Sequence, residues 1–120
     1  MSGEWMGVRT SGGIVVASDV VEARSFAARF KGWMFRPAIG PDEALYLPRC
    51  ASVHTCFMRT AIDAVFLDRA GKVIETRGNL APWRMASCPG ADAVLELPAG
   101  RFAALGLSAG DRLEIQGRPA

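Results

Sequence analysis

The sequence predicts a mainly β fold, a compact β-sandwich or partly open barrel with one short helix in its N-terminal half and a second helix of a single turn. Three observations carry this expectation. Short runs rich in Val, Ile, Leu and Phe recur along the chain, and most are closed by turns containing Gly, Pro or Asp. Only one stretch shows a helical stripe of useful length: Phe26, Phe30, Trp33 and Met34, at i, i+4, i+7 and i+8. The chain has 120 residues, 50% hydrophobic and 22% charged, enough to bury one core without disulfide or metal staples. Residues 1–120 therefore read as a single domain, with its core at about 8–116.

Trp5 to Arg9 and Ile14 to Ala17 are expected strands around the turn Ser11-Gly12-Gly13, with Val20 and Val21 extending the second. The helical stripe follows; Gly32 weakens its last turn and Pro37 ends it. Beyond the turn Pro41-Asp42-Glu43, Ala44 to Leu47, Ser52 to Met58 and Ile62 to Asp68 read as strands. Asp68-Arg69-Ala70-Gly71 is a hairpin loop with glycine where positive φ is wanted, and Lys72 to Thr76 is the returning strand. Gly78 to Gly90, with Asn79, Pro82, Trp83 and Pro89, reads as a long loop, a feature more often functional than accidental. Ala93 to Leu97 alternates, which places Ala93, Leu95 and Leu97 inward and Val94 and Glu96 outward. Arg101 to Leu105 is one helical turn stopped by Gly106. Arg112 to Gln116 is the last strand, with Leu113 and Ile115 inward, and Gly117 to Ala120 is a frayed tail.

Charge narrows the function classes. A formal net charge of +2 gives no strong field to steer nucleic acid or an anionic membrane. No secretory signal opens the chain, and no run reaches the roughly 18 apolar residues of a membrane helix. The expectation is a cytoplasmic monomer without a nucleic-acid partner or a membrane span. Cys50, Cys56 and Cys88 form an odd set without a Cys-x-x-Cys pair, so free thiols are expected rather than a zinc ribbon or a redox motif.

The densest chemistry lies in Cys50 to Arg59. On an unbulged strand Cys50, Ser52, His54, Cys56 and Met58 share one face, and thiol, imidazole and thioether are ligands suited to Cu(I) or Zn. Cys50 and His54 would stand about 13 Å apart, too far to share an ion, whereas His54 and Cys56, about 6.6 Å apart, could share one. Cys88 is the natural third ligand, and the fourth ligand of a structural zinc site is missing. The same His54–Cys56 pair raises the alternative of a thiolate nucleophile, but no oxyanion loop accompanies it. Against both stands the plainer reading that free Cys and Met fill cores. Asp63 interrupts an apolar run and needs a partner, either Arg59 or the backbone of Thr60-Ala61. It then fixes a turn or lines a polar pocket with His54 and Arg59. Arg36 either anchors an anion or caps carbonyls, and Trp83-Arg84 is either a pocket wall or a plug over the core.

Five blocks in order resemble one family. They are Lys31-Gly32-Trp33-Met34-Phe35-Arg36, His54 to Arg59, Ile62 to Asp68, Leu80-Ala81-Pro82-Trp83, and Val94 to Gly100 with Gly110-Asp111 behind them. Together they resemble the uncharacterised family DUF192 over about residues 8 to 116. The resemblance implies a compact β-sandwich or barrel-like domain with little helix, and carries the family motif onto Met58, Asp63, Pro82, Glu96 and Gly100. The His54-Thr55 pair matches one branch of the family, while other branches lack the histidine. The family has no established activity, so the resemblance implies a shape and not a reaction.

Two functions remain open at this level. One is a non-catalytic binding or interaction module, with no cofactor, holding a small polar ligand or a protein partner in a polar pocket near His54 and the 78–90 loop. Its ligand-binding residues would be His54, Cys56, Met58, Arg59, Asp63 and Trp83. The other is a metal- or thiol-dependent enzyme or metal carrier using His54, Cys56 and Cys88.

Overall fold

Simple alternation of inward and outward residues fails in the two strands at the centre of the molecule, and that failure defines the architecture. Every residue of Ile62–Leu67 is buried, as are the first five of Ala93–Pro98. Strands with one wet face alternate, so these two must carry packing on both faces. The computed structural model describes residues 7–24 and 33–119. Among them lie the strands β1 Gly7–Thr10, β2 Val15–Ala17, β3 Asp19–Glu22, β4 Glu43–Pro48, β5 Ser52–His54, β6 Ile62–Leu67, β7 Val73–Leu80, β8 Met85–Ser87, β9 Ala93–Pro98, β10 Leu113–Gln116 and β11 Arg118–Pro119. One helical turn, α1 Arg101–Ala104, precedes β10.

Six strands form the central sheet, in the order β11-β3-β4-β9-β6-β7. The neighbouring pairs β4–β9, β9–β6 and β6–β7 are antiparallel, and the β3–β4 and β11–β3 pairs are parallel. Over one face lies the antiparallel sheet β10-β1-β2, and Val8, Val16, Val65, Leu95 and Leu97 fill the space between with Phe102 of α1. Over the other face lies the small β5–β8 sheet. It covers a second core in which Leu47, Ala64, Phe66 and Val94 meet Trp33, Val53 and Met58. Burying a side chain such as the fully enclosed Phe66 contributes about 2–3 kcal/mol. The arrangement is a β-sandwich with an added layer, and among the described residues its sheets do not close into a barrel.

Several expectations hold for local reasons. Gly71 sits at φ +83, and a Cβ there would come within 2.4 Å of the Leu113 carbonyl oxygen. The Asp68 carboxylate accepts the Ala70 and Lys72 N–H groups, each at 2.9 Å, and so shapes the predicted hairpin loop. Others are corrected. Val94 and Glu96 do point away from Ala93 and Leu95, but into the second core rather than into solvent. The strand expected over Ser52 to Met58 ends at His54, because Thr55 leaves the ladder and Cys56-Phe57 turns. The long loop expected over Gly78 to Gly90 shrinks, since β7 runs on to Leu80 and β8 pairs with β5. The expected frayed tail contributes β11, parallel to β3. The expected N-terminal strand begins before the described residues, as Trp5 lies outside them, and so do Phe26 and Phe30 of the expected helix. Trp33 and Met34, at that helix's C-terminal end, stand in a bend and a turn.

Candidate functional site

Thr55 ties together two segments that the sequence keeps far apart. Its side chain is fully buried. The hydroxyl donates to the Ala81 carbonyl at 2.6 Å and accepts the Arg84 N–H at 2.8 Å. Its own N–H donates to the Arg84 carbonyl at 2.8 Å, and its carbonyl accepts N–H groups from Met58 at 3.1 Å and Trp83 at 3.0 Å. A hydroxyl can donate and accept at once, which is what this junction requires. A third segment joins through the Phe35 N–H, which donates to the Phe57 carbonyl at 2.9 Å.

Each of the three segments holds an aromatic residue in the left-handed region: Phe35 at φ 65, Phe57 at φ 66 and Trp83 at φ 62. For a residue with a Cβ this conformation costs about 1–2 kcal/mol, so the surrounding bonds must hold it in place. The kink directs neighbouring side chains apart. The three rings face outward, 54%, 44% and 58% exposed. They touch one another, with centroids 5.6 Å apart for Phe35–Phe57 and 4.9 Å for Phe57–Trp83. Beside them in sequence, Met34, Met58 and Met85 line a cavity of about 200 Å³.

The cavity walls are chiefly Trp33, Leu45, Leu47 and Val53, with Ser52, His54 and Glu96 as its polar lining. Glu96 is buried at the middle of the central sheet, in register with Leu45 of β4 and Ala64 of β6. His54 and Met85 face each other across the β5–β8 pair, and Met85 is 73% exposed. The His54 ring lies over the following turn, where its Nδ1 accepts the Cys56 N–H at 3.2 Å.

Of the residues singled out from sequence, His54 and Met58 line this cavity, and Trp83 belongs to the adjoining aromatic cluster. The lining is mainly apolar, where a polar pocket was expected. Cys56 is half-buried in the turn and Arg59 is exposed, and neither lines the cavity. Asp63 projects from the opposite face of β6 to Ala64 and Phe66. Its Oδ1 accepts the N–H groups of Asn79 at 2.9 Å and Gly100 at 3.0 Å, and its Oδ2 accepts that of Phe102 at 3.1 Å. Three backbone donors compensate the buried carboxylate, which thereby fastens β7 to α1 and borders a separate depression with Thr76 and Gly78. Cys88 is buried in the second core, and burial pushes its thiol above the usual range, away from the reactive thiolate. Cys50 is also buried, and its thiol donates to the Ser52 carbonyl. Among the described residues no three His, Cys, Asp or Glu side chains gather in a metal-binding group.

Arg36 does anchor an anion, though an internal one. Its guanidinium forks onto Glu43 at 2.6 and 2.8 Å, and Glu43 also accepts the Gly40 N–H at 2.6 Å. The hydrogen bond from Arg36 holds the Glu43 carboxyl below the usual carboxylate range and raises the arginine in turn. Sequence reasoning missed Thr55, Met34 and Met85 as parts of the site. The signal of the two methionines is a methionine next to, or two residues from, an aromatic residue, repeated in three distant segments: Met34-Phe35, Phe57-Met58 and Trp83-Arg84-Met85.

Similarity to known proteins agrees with the fold. A UPF0127 protein from Thermococcus sibiricus is 32% identical over 107 residues, spanning 85% of this chain and 69% of its own. A UPF0127 protein from Pyrococcus furiosus is 40% identical over 104 residues, spanning 80% of this chain and 85% of its own. The crystal structure of a protein of unknown function from Novosphingobium aromaticivorans superposes with a TM-score of 0.77 at 28% identity, covering 89% of this chain and 81% of that one. The profile of DUF192, described as Uncharacterized ACR, matches residues 7–115, from the start of β1 into β10. Spanning both cores and all three segments around the cavity, that match places the chain in the DUF192 family.

Proposed function

We propose that this protein is a binding module without chemistry of its own, and that its ligand or partner enters the cavity beneath β5 and β8. The observation that carries this reading is the convergence of three strained segments. Each holds an aromatic residue in a left-handed conformation, and together they frame one mostly apolar cavity. Strain of this kind persists where the surroundings over-determine it, and such places cluster at ligand clamps. Apolar walls with a few polar groups are the usual composition of small-molecule sites. The exposed Phe35, Phe57 and Trp83 rings extend the apolar surface outward, so a bound group has a platform beside its pocket.

Indole and cyclohexanol, titrated at millimolar concentration, test this reading. Site-directed shifts of the Met34, Met58 and Met85 methyl resonances and of the Trp33 indole N–H are expected, with the Val8 and Leu113 methyls of the other core unmoved. Absence of any shift at the cavity sinks the reading.

A further inference from the structure

We propose that the cavity is a soft-metal site in which Met34, Met58 and Met85, joined by His54, bind one Cu(I) ion. The proposal rests on the reading of this cavity as the binding site and names the ligand class. Every methionine among the described residues lines this one cavity. The three arrive from separate segments, each one or two residues from an aromatic residue in a strained conformation. Core filling does not explain Met85, which is 73% exposed at the cavity mouth. It stands directly across the strand pair from His54, where Cβ atoms lie about 4.5–5.5 Å apart.

The donor chemistry selects the ion. Thioethers are soft and uncharged; they favour Cu(I) over Zn(II), and they do not need to lose a proton to bind. Three thioethers and one imidazole match a monovalent soft cation with three or four neutral donors. Nδ1 accepts the Cys56 N–H, so the neutral ring carries its proton on Nε2. Coordination through Nε2 moves that proton to Nδ1 and breaks the Cys56 bond, with no net proton released and no change in the oxidation state of copper. Trp33, buried, lines the same cavity.

The test is an anaerobic titration of the intact chain, in a Cys56→Ser background, with Cu(I) held by a chromophoric competitor and with Ag(I) as its oxidation-resistant substitute. One ion per chain is expected. At one equivalent the ε-methyl resonances of Met34, Met58 and Met85 shift together with the residue-56 amide, while the Val8 and Leu113 methyls of the other core stay in place. Met85→Leu and Met58→Leu each weaken binding at least tenfold, and Zn(II) leaves the methyls unmoved. Should Met58→Leu fail to fold, the surface Met85→Leu variant and the methyl shifts decide. Binding that disappears with Cys56→Ser, or that leaves the three methyls unshifted, overturns the proposal. If indole and cyclohexanol move those methyls and Ag(I) does not, the metal assignment fails and the binding-module reading stands. If none of the probes does, both fall.

Discussion

Replacing Thr55 with valine removes one hydroxyl and keeps the shape of the side chain, so its effect can be worked from the hydrogen bonds alone. Two are lost: the one given to the Ala81 carbonyl at 2.6 Å and the one received from the Arg84 N–H at 2.8 Å. Each contributes about 1 kcal/mol net, and leaving the facing N–H without an acceptor adds about 1–2 kcal/mol. Thr55→Val should therefore cost about 3–4 kcal/mol. For a chain of 120 residues, 1 kcal/mol moves the melting temperature by about 4 °C, so a fall of about 12–16 °C is expected. Thr55→Ser keeps the hydroxyl, loses one methyl and should cost about 1 kcal/mol. Guanidinium unfolding followed by tryptophan fluorescence measures both, with the slope of the transition checked for constancy. A Thr55→Val variant within 0.5 kcal/mol of the parent, or a serine variant as damaged as the valine one, would refute the account of this junction.

Three further outcomes follow from other sites. Asp63→Asn leaves one carboxamide oxygen where two carboxylate oxygens meet three N–H donors, and turns an NH₂ toward at least one of them. A loss of about 3–5 kcal/mol is expected in denaturant unfolding, and a neutral result would rule out the anchoring role. Glu43 has its carboxyl held down in the folded state, so its contribution is present at neutral pH and is lost as pH falls through the folded value. Glu43→Gln should thus cost about 1 kcal/mol at pH 7 and progressively less in acid, which thermal melts across pH will show. Native alkylation should modify Cys56 first, with Cys50 and Cys88 reacting only on unfolding; mass spectrometry of brief iodoacetamide exposures checks the order.

What could be read from the sequence was what local chemistry determines. The Asp68 to Gly71 loop follows from one carboxylate and one glycine, and Ala64 to Leu67, apolar without a break, declares its burial on both faces. Glu96 misled for the same reason, since a carboxylate on an alternating strand signals solvent, and only the layer supplied by the β5–β8 pair with Trp33 and Met58 turns that face into an interior. His54 and Met58 were visible as a pair of donors within one segment. Met34 and Met85 were not, because they reach the cavity from segments 24 residues before and 27 residues after Met58. The bonds that bring them together, Phe35 to Phe57 and Thr55 to Arg84, are tertiary and leave no periodic trace.

The roof of the cavity has a kinetic consequence. It is made of turns and a two-stranded pair laid over a sheet that has its own separate core on the far side. The clasp at Thr55 closes a stretch of 29 residues, and it can release while the six-stranded ladder stays intact. Amide exchange at Trp83, Arg84 and Phe35 should then be governed by a partial opening, well below the global unfolding free energy. A ligand bound as proposed would then exchange through that opening, on a timescale independent of the lifetime of the folded scaffold.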